Sequence, residues 1–198
     1  MKNTGIIILA AGESSRLGRP KQLLTFRDTS LLQKVIDLCA PLEFDTGVIV
    51  LGAHADDIRK AVDPGKFTFV MNPEWKEGIA SSIRKGVEFS LELNPETEHL
   101  LFLLSDQPFV TTALLQRLLK THKTGKKEIT ASLYDEDVGV PAVYSKPAFP
   151  LLKKLSGDKG AKKVMKRFPE KVATVPFGKG SFDVDTPEDY EALRQFES

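Results

Sequence analysis

Glycine and basic residues are concentrated in one short segment near the start of the chain. Gly12, Arg16, Gly18 and Lys21 directly follow the apolar run 5–11. In an open α/β sheet, ligands bind beyond the carboxyl ends of the strands. Glycine lets the backbone approach a ligand closely, and two positive charges at the same edge offset the negative charges of a polyphosphate. The pattern favours a polyphosphate site, although an ordinary strand-to-helix loop with solvated basic residues is the alternative.

Two aspartates are candidates for binding a metal ion. Asp106 follows the apolar run 100–104, and Pro108 stops the strand behind it. A carboxylate at this edge suits Mg²⁺, which proteins bind with few carboxylates plus substrate phosphates. Capping of the following turn is the alternative for Asp106. Asp185 precedes a helix opened by Thr186-Pro187, so helix capping competes with metal binding there.

Short apolar runs alternate with helical patterns through the first half of the chain. Continuous apolar runs bounded by turn residues predict strands that are covered on both faces. The alternation with helices predicts a parallel sheet with right-handed crossovers. The predicted strands are 5–11, 48–51, 67–71 and 100–104, and the predicted helices are 30–40, 55–62, 78–91 and 111–121, the last with a threonine N-cap.

The second half of the chain is less regular. Segments 129–134 and 138–144 predict strands that could pair as a hairpin, and two basic helices, a strand at 172–175 and a closing helix from Pro187 follow. No linker or repeat interrupts the chain. The sequence therefore predicts an α/β fold, with one three-layer αβα domain over 1–198 and a mostly parallel, Rossmann-like sheet with some antiparallel strand addition.

The composition excludes several classes of protein. Lysine plus arginine (28) nearly equals aspartate plus glutamate (27), whereas a general nucleic-acid binder carries a basic excess. No run approaches the roughly 20 apolar residues that span a bilayer, and the first residues lack the pattern of a signal peptide. We expect a cytoplasmic protein without nucleic-acid or membrane partners. The only cysteine, Cys39, excludes an internal disulfide and is expected to be buried in a helix.

Six segments carry a resemblance to a known family. The segment 9–24, Leu-Ala-Ala-Gly-Glu-Ser-Ser-Arg-Leu-Gly-Arg-Pro-Lys-Gln-Leu-Leu, resembles the signature of the MobA-like nucleotidyltransferases, and more narrowly that of their molybdenum cofactor cytidylyltransferase branch. The other matching segments are the nucleobase loop 72–82, the metal motif 105–108, the acceptor-side segments 139–142 and 157–161, and the closing motif 183–189. Their number and order imply a fold of the nucleotide-diphospho-sugar transferase type.

The resemblance implies an enzyme that transfers a nucleoside monophosphate from an NTP to a phosphorylated small molecule. Two details favour CTP: the first loop reads Ala-Ala-Gly where guanylyl relatives tend to carry Gly-Gly, and 78–82 is similar to the cytidylyl pattern rather than to Gly-Pro-Leu-Ala-Gly. The implied acceptor is molybdopterin bearing molybdenum. The product would be a cytosine dinucleotide cofactor, with release of pyrophosphate, and a molybdoenzyme could be the next partner.

The resemblance also assigns roles to residues. Arg16 is expected to bind the β- and γ-phosphates, Lys21 to bridge toward the α-phosphate, and Asp106 and Asp185 to hold Mg²⁺, and Asp183 is a further candidate for the metal. Arg16, Lys21 and Asp106 are the expected catalytic residues. The expected nucleotide-binding residues are Leu9, Ala10, Ala11, Gly12, Ser14, Ser15, Arg16, Gly18, Lys21, Gly78, Ser81 and Ser82.

The acceptor is assigned to the C-terminal half of the chain and the NTP to the N-terminal half. The expected acceptor-binding residues are Gly139, Pro141, Asp158 and Lys159. Two structural alternatives compete with these assignments. Ser81 and Ser82 could cap a helix that starts at them, and the basic stretch 159–167 could be a solvated helix face.

Other functions compete with cytidylyl transfer to molybdopterin. A nucleotidyltransferase could use another acceptor, such as a sugar phosphate, methylerythritol phosphate or phosphocholine. A non-catalytic carrier of molybdenum cofactor would keep the acceptor pocket but tolerate loss of Lys21. A nicotinamide oxidoreductase is disfavoured because the first loop lacks Gly-x-Gly-x-x-Gly, and a P-loop kinase because it lacks the Gly-Lys-Ser/Thr ending. His99 and His122 have no spaced metal-binding partner and are expected to be structural or surface residues.

Overall fold

A seven-stranded sheet forms the centre of the computed structural model, which describes residues 2–134 and 136–197. Its strands alternate with helices in the first half of the chain, as the sequence predicts. In chain order the strands are β1 Thr4–Ala10, β2 Thr25–Phe26, β3 Thr29–Ser30, β4 Thr46–Leu51, β5 Thr68–Met71, β6 His99–Leu104, β7 Ile129–Tyr134, β8 Asp137–Ser145 and β9 Val172–Pro176. The short β2 and β3 form a separate ribbon, which the sequence patterns did not predict.

The strand order of the main sheet is β5-β4-β1-β6-β8-β7-β9. The pairs β1–β4, β1–β6, β4–β5 and β7–β9 are parallel, whereas β8 is antiparallel to both β6 and β7. The predicted hairpin is therefore confirmed as β7–β8, and the mostly parallel sheet with an antiparallel addition is also confirmed. Because β8 runs in the opposite direction, its first residues lie at the edge where β1, β4 and β6 end.

Seven α-helices cover the sheet in the described part of the chain. They are α1 Leu31–Cys39, α2 Ala55–Ala61, α3 Ile79–Leu93, α4 Thr112–Thr124, α5 Phe149–Lys153, α6 Lys162–Arg167 and α7 Pro187–Arg194. The predicted N-cap of α4 is confirmed, because the Thr111 side chain accepts a hydrogen bond from the backbone N–H of Leu114. None of these helices is long and apolar enough to cross a membrane.

The two faces of the sheet bury separate hydrophobic clusters. Along β1, Ile6 and Ile8 face a cluster completed by α1, α2 and α4, whereas Ile7 and Leu9 face one completed by α3, α5 and α6. Both faces are covered, which explains why β1 reads as a continuous apolar run. The three-layer αβα architecture is thus confirmed. Cys39 is fully buried in the first cluster, as predicted.

A third, smaller cluster joins the two ends of the chain. It contains Leu24, Phe26 and Leu31 from the segment after β1, together with Val184 and Leu193 from the C-terminal segment. The C-terminal helix therefore packs beside the loop that follows β1. This contact brings the closing motif 183–189 to the carboxyl edge of the sheet.

Candidate active site

The loop after β1 is held in shape by a buried glutamine. The Gln22 side-chain amide donates hydrogen bonds to the carbonyl oxygens of Ala10 (3.0 Å) and Gly12 (3.1 Å). The Ser14 hydroxyl accepts a hydrogen bond from the backbone N–H of Lys21 at 3.0 Å. Both ends of the loop are thereby fixed relative to β1. Sequence reasoning assigned no role to Gln22; the available signal was a polar residue that is almost fully buried (1% exposed).

Two glycines are required by the geometry around this loop. Gly18 has φ of +66°, a left-handed conformation that glycine adopts readily. Gly52, which follows β4, lies directly against the loop: a Cβ on Gly52 would stand 2.4 Å from the carbonyl oxygen of Ala11. The end of β4 and the start of the loop can therefore pack together only because residue 52 lacks a side chain.

Lys21 bridges the two aspartates that the sequence singled out. Its ammonium group donates a short hydrogen bond to Asp106 Oδ2 and a second one to Asp185 Oδ1 at 2.7 Å. Arg16 donates from its guanidinium to Asp185 Oδ2 at 2.8 Å. The side chains of Lys21 and Asp106 are largely buried, whereas those of Asp185 and Arg16 are more exposed. Residues that are 164 positions apart in sequence thus form one ionic cluster at the carboxyl edge of the sheet.

The position of Asp185 follows from the cap of α7. The N-cap residue is Thr186, whose hydroxyl accepts from the backbone N–H of Asp189, while the Asp189 carboxylate accepts from the backbone N–H of Thr186. This capping box makes the helix-capping interpretation of Asp185 wrong. The backbone N–H of Val184 donates to the carbonyl oxygen of Asp106 at 3.2 Å, which fixes the two aspartates side by side.

The ionic cluster perturbs the pKa values of its members. Burial opposes the charge of Lys21, but the Asp106 and Asp185 carboxylates outweigh burial and raise the pKa of Lys21. Burial works against the charged form of Asp185 as well, yet Lys21 and then Arg16 lower its pKa. Burial, followed by the negative charge of Asp106, raises the pKa of Asp183 to about 7, although the residue as a whole stays exposed to solvent. Burial and the neighbouring Asp106 carboxylate thus both favour the protonated form of Asp183.

One oxygen of Asp106 has no hydrogen-bond partner. Oδ1 is buried and unpaired, and the residue as a whole is 7% exposed. The carboxylate does not cap the following turn, because Oδ2 accepts from Lys21 instead. A buried carboxylate oxygen without a donor is costly unless a cation or donor reaches it. In residues 2–134 and 136–197, no three His, Cys, Asp or Glu side chains form a preformed metal cage. The arrangement fits a divalent ion that is completed by substrate oxygens.

A cleft of about 590 Å³ opens beside Lys21 and Asp106, within the range of small-molecule sites. Eight residues that the sequence assigned to substrate or metal line it, namely Leu9, Ala11, Gly12, Lys21, Gly78, Ser82, Asp106 and Asp158. Seven further lining residues had no assigned role: Glu13, Gln22, Trp75, Lys76, Ile79, Leu104 and Ser105. Most of these seven are direct sequence neighbours of assigned residues, which is the signal that could have found them.

The remaining assigned residues do not line the cleft. They are Ala10, Ser14, Ser15, Arg16, Gly18, Ser81, Gly139, Pro141, Lys159 and Asp185. The Ala10 side chain packs in the core on the opposite face of the sheet, because side chains alternate along β1. Arg16 and Asp185 adjoin the cleft through their ion pairs with each other and with Lys21.

The two serines of the nucleobase loop differ in their hydrogen bonds. Helix α3 begins at Ile79, so the interpretation in which Ser81 and Ser82 start and cap that helix is wrong. Asn72 donates from its amide to both hydroxyls, at 2.8 Å and 3.0 Å. Ser81 in turn donates to the Gly78 carbonyl oxygen at 2.8 Å. Ser82 has no acceptor for its own proton among the described residues, so its hydroxyl can donate into the cleft.

The nucleobase loop contacts the second acceptor-side segment. Gly78 has φ of +111°, and a Cβ there would lie 2.4 Å from Asp158 Oδ1. The backbone N–H of Ala80 donates to the Gly157 carbonyl oxygen at 3.1 Å. Arg84 donates to the Leu155 carbonyl oxygen at 2.8 Å. Asp158 is therefore held at the mouth of the cleft, directly against the loop that the resemblance assigns to the base.

The first acceptor-side segment lies in β8. Gly139 is buried, and a Cβ there would collide with the Tyr134 hydroxyl. Pro141 is also buried, and its carbonyl oxygen accepts from the Ser132 hydroxyl at 2.8 Å. Both residues lie in the first half of β8, the antiparallel strand next to β6, toward the edge that carries Asp106. The structure places this segment near the cleft but not in its lining.

The histidines make structural contacts. His122 is buried and its ring nitrogens bond the hydroxyls of Thr130 (3.0 Å) and Ser145 (2.9 Å), which confirms a structural role. His99 lies edge-on to His122 with ring centroids 5.2 Å apart. Burial lowers the pKa of His122 to about 4. This histidine pair lies at the start of β6, at the opposite edge of the sheet from the cleft.

Comparison with known proteins identifies the family to which this fold and cleft belong. The MobA-like NTP transferase domain matches residues 6–172. This chain belongs to the MobA-like NTP transferase family. As a family member it is a nucleotidyltransferase, and the first loop that the sequence singled out lies within the matched region.

Similar proteins include both enzymes and solved structures. Nicotine blue oxidoreductase of Paenarthrobacter nicotinovorans is 32% identical over 196 residues, which cover 96% of this chain and 92% of that protein. The bifunctional protein GlmU of a Psychrobacter species is 31% identical over 136 residues, but the match covers 67% of this chain and only 29% of GlmU. The crystal structure of Rv0371c from Mycobacterium tuberculosis has a TM-score of 0.84 and 32% identity over 97% of both chains. A manganese complex of Rv0371c has a TM-score of 0.78.

The charges of the cleft bear on how this family member could bind a nucleoside triphosphate. Three carboxylates, Glu13, Asp106 and Asp158, and only two ammonium groups, Lys21 and Lys76, line it. Lys21 is already engaged by two carboxylates. A triphosphate that entered this cleft alone would meet a lining in which carboxylates outnumber ammonium groups by one. A divalent cation that accompanies the triphosphate would relieve that repulsion.

Proposed function

We propose that this chain is a divalent-metal-dependent CTP:molybdopterin cytidylyltransferase. It would transfer CMP from CTP to the terminal phosphate of a molybdenum-loaded molybdopterin and release pyrophosphate. The observation that carries the proposal is the convergence of Lys21, Asp106 and Asp185 beside a nucleotide-sized cleft at the carboxyl edge of the sheet. Family membership supports the reaction class, and the resemblance of 9–24 and 78–82 to the cytidylyl branch supports the nucleotide and the acceptor.

Asp106 and Asp185 are the residues that would hold the metal ion. The unpaired Oδ1 of Asp106 leaves a buried carboxylate oxygen to which a cation could bind, and the charge of Asp106, after burial, contributes to the raised pKa of neighbouring Asp183. The bound divalent ion would supply charge neutralisation at the α-phosphate and at the departing pyrophosphate. The manganese complex of Rv0371c supports a divalent ion at the equivalent fold. Mg²⁺ is our proposal for the ion in this chain, because a site of few carboxylates suits it.

Lys21 and Arg16 are proposed to neutralise the triphosphate. An oxygen of the acceptor phosphate would attack the α-phosphorus of CTP, forming a new P–O–P linkage while the bond between the α-phosphorus and the bridging oxygen breaks. The acceptor phosphate is already anionic at neutral pH, so the step needs no general base. Catalysis then rests on positioning and on cationic groups near the charged oxygens. Lys21, which is largely buried at the cleft floor, would serve the α-phosphate, and Arg16 at the rim would serve the β- and γ-phosphates.

Ser82 is the proposed reader of the base. Its hydroxyl accepts from Asn72 and keeps its proton free to donate into the cleft. Cytosine presents acceptors at O2 and N3, whereas a guanine edge at the same place presents N–H donors. A fixed donor therefore favours cytosine.

The acceptor is proposed to enter from the side of the C-terminal half. Asp158 at the cleft mouth, Gly139 and Pro141 in β8, and Lys159 beyond the turn at 157 are the residues we assign to it. This division gives the N-terminal half the NTP and the C-terminal half the acceptor, within one domain over 1–198. The contact between Gly78 and Asp158 would then keep the two substrates adjacent.

The test is pyrophosphate release with each of the four NTPs, molybdenum-loaded molybdopterin and MgCl₂, followed by mass analysis of the product. CTP-selective release with formation of the cytosine dinucleotide is the expected result. Lys21→Met should lower kcat by about 10²–10³-fold, the range typical of losing one electrostatic group at a reacting phosphate or carbonyl. Lys120→Met, on the exposed surface of α4, is the matched control and should turn over at the wild-type rate.

Other outcomes would redirect the proposal. Release only with a sugar phosphate, methylerythritol phosphate or phosphocholine would keep the reaction class and replace the acceptor. Tight binding of finished cofactor without pyrophosphate release from any NTP would indicate a carrier. Release that is selective for GTP would overturn the reading of Ser82.

A second candidate function is an oxidoreductase activity, and one observation favours it. Nicotine blue oxidoreductase aligns with 96% of this chain at 32% identity, so its reaction could be carried on this fold. The assay is oxidation of NADH or NADPH in the presence of nicotine blue. This candidate would be favoured over nucleotidyl transfer if the Lys21→Met protein still oxidised NADH or NADPH and the wild-type protein released no pyrophosphate.

A further inference from the structure

A second pocket lies between helices α5 and α6. We call it the α5–α6 pocket. Its residues are Leu151, Lys154, Leu155, Ser156, Lys159, Lys163, Val164, Arg167 and Phe168, around a cavity of about 120 Å³. Since one water needs roughly 10–15 Å³ by this measure, the cavity has room for a small ring system. None of these residues is among those that line the cleft.

The floor of the α5–α6 pocket is apolar. Leu155 and Val164 are buried in the core on this face of the sheet, and the partly buried Leu151 and Phe168 pack against the same core. Together they present aliphatic surface and one aromatic ring. Such a floor fits a flat, apolar body rather than a bare inorganic ion.

The rim of the α5–α6 pocket is strongly cationic. Lys154, Lys159, Lys163 and Arg167 are exposed, and none of them forms an ion pair with a carboxylate in the described part of the chain. The neighbouring Lys159 ammonium, then burial and then the charge of Arg167 lower the pKa of Lys163. Like charges held this close are unfavourable until an anion is placed between them.

The neighbouring lysines of the same helix behave differently. Lys162 and Lys166 both pair with Asp137 Oδ2, at 2.6 Å and 3.1 Å. Helix α6 therefore pairs the cations on one side with a carboxylate, whereas those that border the pocket have no carboxylate partner in the described part of the chain, and the Arg167 guanidinium lies over the Phe168 ring at 5.3 Å.

We propose that the α5–α6 pocket binds a small molecule that combines a planar aromatic body with a phosphate group. The ring would rest on the apolar floor against Phe168, and the phosphate would sit between Lys159, Lys163 and Arg167. The pocket shares no lining residue with the cleft, and of its residues only Lys159 is also assigned to the acceptor, so the inference rests on the proposed function only through Lys159.

The test is binding of 1-naphthyl phosphate to the full-length protein, followed by its fluorescence anisotropy, with inorganic phosphate and 1-naphthol as partial ligands. The doubly substituted Lys163→Gln/Arg167→Gln protein should bind 1-naphthyl phosphate at least 10-fold more weakly than the wild type. The matched control Lys162→Gln/Lys166→Gln removes the same charge from the same helix and should leave the affinity unchanged. Thermal unfolding of both proteins checks that each is folded.

Two further arms locate the binding and its chemistry. Lys21→Met should retain the affinity for 1-naphthyl phosphate, because the cleft is not involved. Phe168→Ala should weaken 1-naphthyl phosphate but not inorganic phosphate, since only the former contacts the ring. Equal losses in both double substitutions, or a loss in Lys21→Met alone, would overturn the proposal. Equal affinity for inorganic phosphate and 1-naphthyl phosphate would overturn it as well.

Discussion

Removal of the Lys21 ammonium should make this protein bind a divalent metal ion more tightly when no nucleotide is present. Lys21 lies between Asp106 and Asp185, which are the carboxylates assigned to the metal. A dication can use both carboxylates only if the ammonium group leaves them. In the wild-type protein the arriving triphosphate would draw Lys21 away, so metal and NTP should bind together. Lys21→Met removes this competition.

The size of the effect can be worked out from the two ion pairs. A hydrogen bond to a charged group contributes about 1.5–3 kcal/mol. The pair with Asp106 keeps most of that value, because both side chains are at least 84% shielded from solvent (16% and 10% exposed). The pair with Asp185 contributes less, since that side chain is 37% exposed and is screened by water. A net cost of about 2 kcal/mol corresponds to roughly 30-fold tighter metal binding in Lys21→Met.

The assay is titration of Mn²⁺ into the nucleotide-free protein, with free Mn²⁺ followed by electron paramagnetic resonance. Lys76→Met is the matched control, because Lys76 also lines the cleft but forms no ion pair with a carboxylate in the described residues. Its Mn²⁺ affinity should stay near the wild-type value. Unchanged or weaker Mn²⁺ binding in Lys21→Met would refute the competition. If the ion binds to Asp106, the Asp106→Asn protein should lose Mn²⁺ binding, whereas the Lys21→Met protein should bind Mn²⁺ more tightly than the wild type.

Three further outcomes follow from the structure. Ser82→Ala should lower kcat/KM for CTP by about 10-fold in pyrophosphate-release kinetics, because it removes one hydrogen bond of about 1.4 kcal/mol. Its thermal stability should change little. Gly52→Ala should destabilise the fold by about 1–3 kcal/mol in urea unfolding, because its Cβ would meet the Ala11 carbonyl oxygen; an unchanged midpoint would contradict the packing. His122 has a pKa of about 4 when folded and about 6.5 when unfolded, so the unfolded chain takes up more protons between these values. Stability should therefore fall by up to about 3 kcal/mol as the pH drops from 6.5 to 4, and His122→Gln should flatten that slope.

The sequence was informative about the sheet because the strands are buried on both faces. The continuous apolar runs 5–11 and 100–104 predict strands, and their ends agree to within one or two residues with those of the adjacent strands β1 and β6. The placement of Asp106 at the ligand edge followed directly from the end of β6. The ribbon β2–β3 was missed because two-residue strands carry no readable alternation.

The ionic cluster could not be predicted from spacing alone. Asp185 has equally good sequence reasons to cap α7, and only the capping box of Thr186 and Asp189 shows that its carboxylate is free for Lys21. The approach of α7 to the first loop depends on the small cluster around Val184, which no local pattern reveals.

The direction of side chains in irregular segments was also beyond the sequence. Asp158 and Lys159 are neighbours and were assigned together to the acceptor, yet one lines the cleft and the other lines the α5–α6 pocket. The turn immediately before them contains Gly157, with φ of +63°. A left-handed residue redirects the chain in a way that composition does not encode.

The hydrogen bond between Val184 and Asp106 makes the position of Asp185, a proposed metal ligand, depend on the C-terminal segment that carries α7. Asp185 lies thirteen positions beyond the end of the region matched by the family, at residue 172, so a protein shortened to that region would keep β1 and β6 but lose one of the two carboxylates. The Tyr190 hydroxyl donates a hydrogen bond to the Thr25 carbonyl oxygen at 2.9 Å and so holds α7 against the rest of the protein. Breaking this contact would displace Asp185 in a similar way without shortening the chain. We therefore expect peptides or substitutions that displace the C-terminus to lower the proposed nucleotidyl transfer, while the central sheet stays intact.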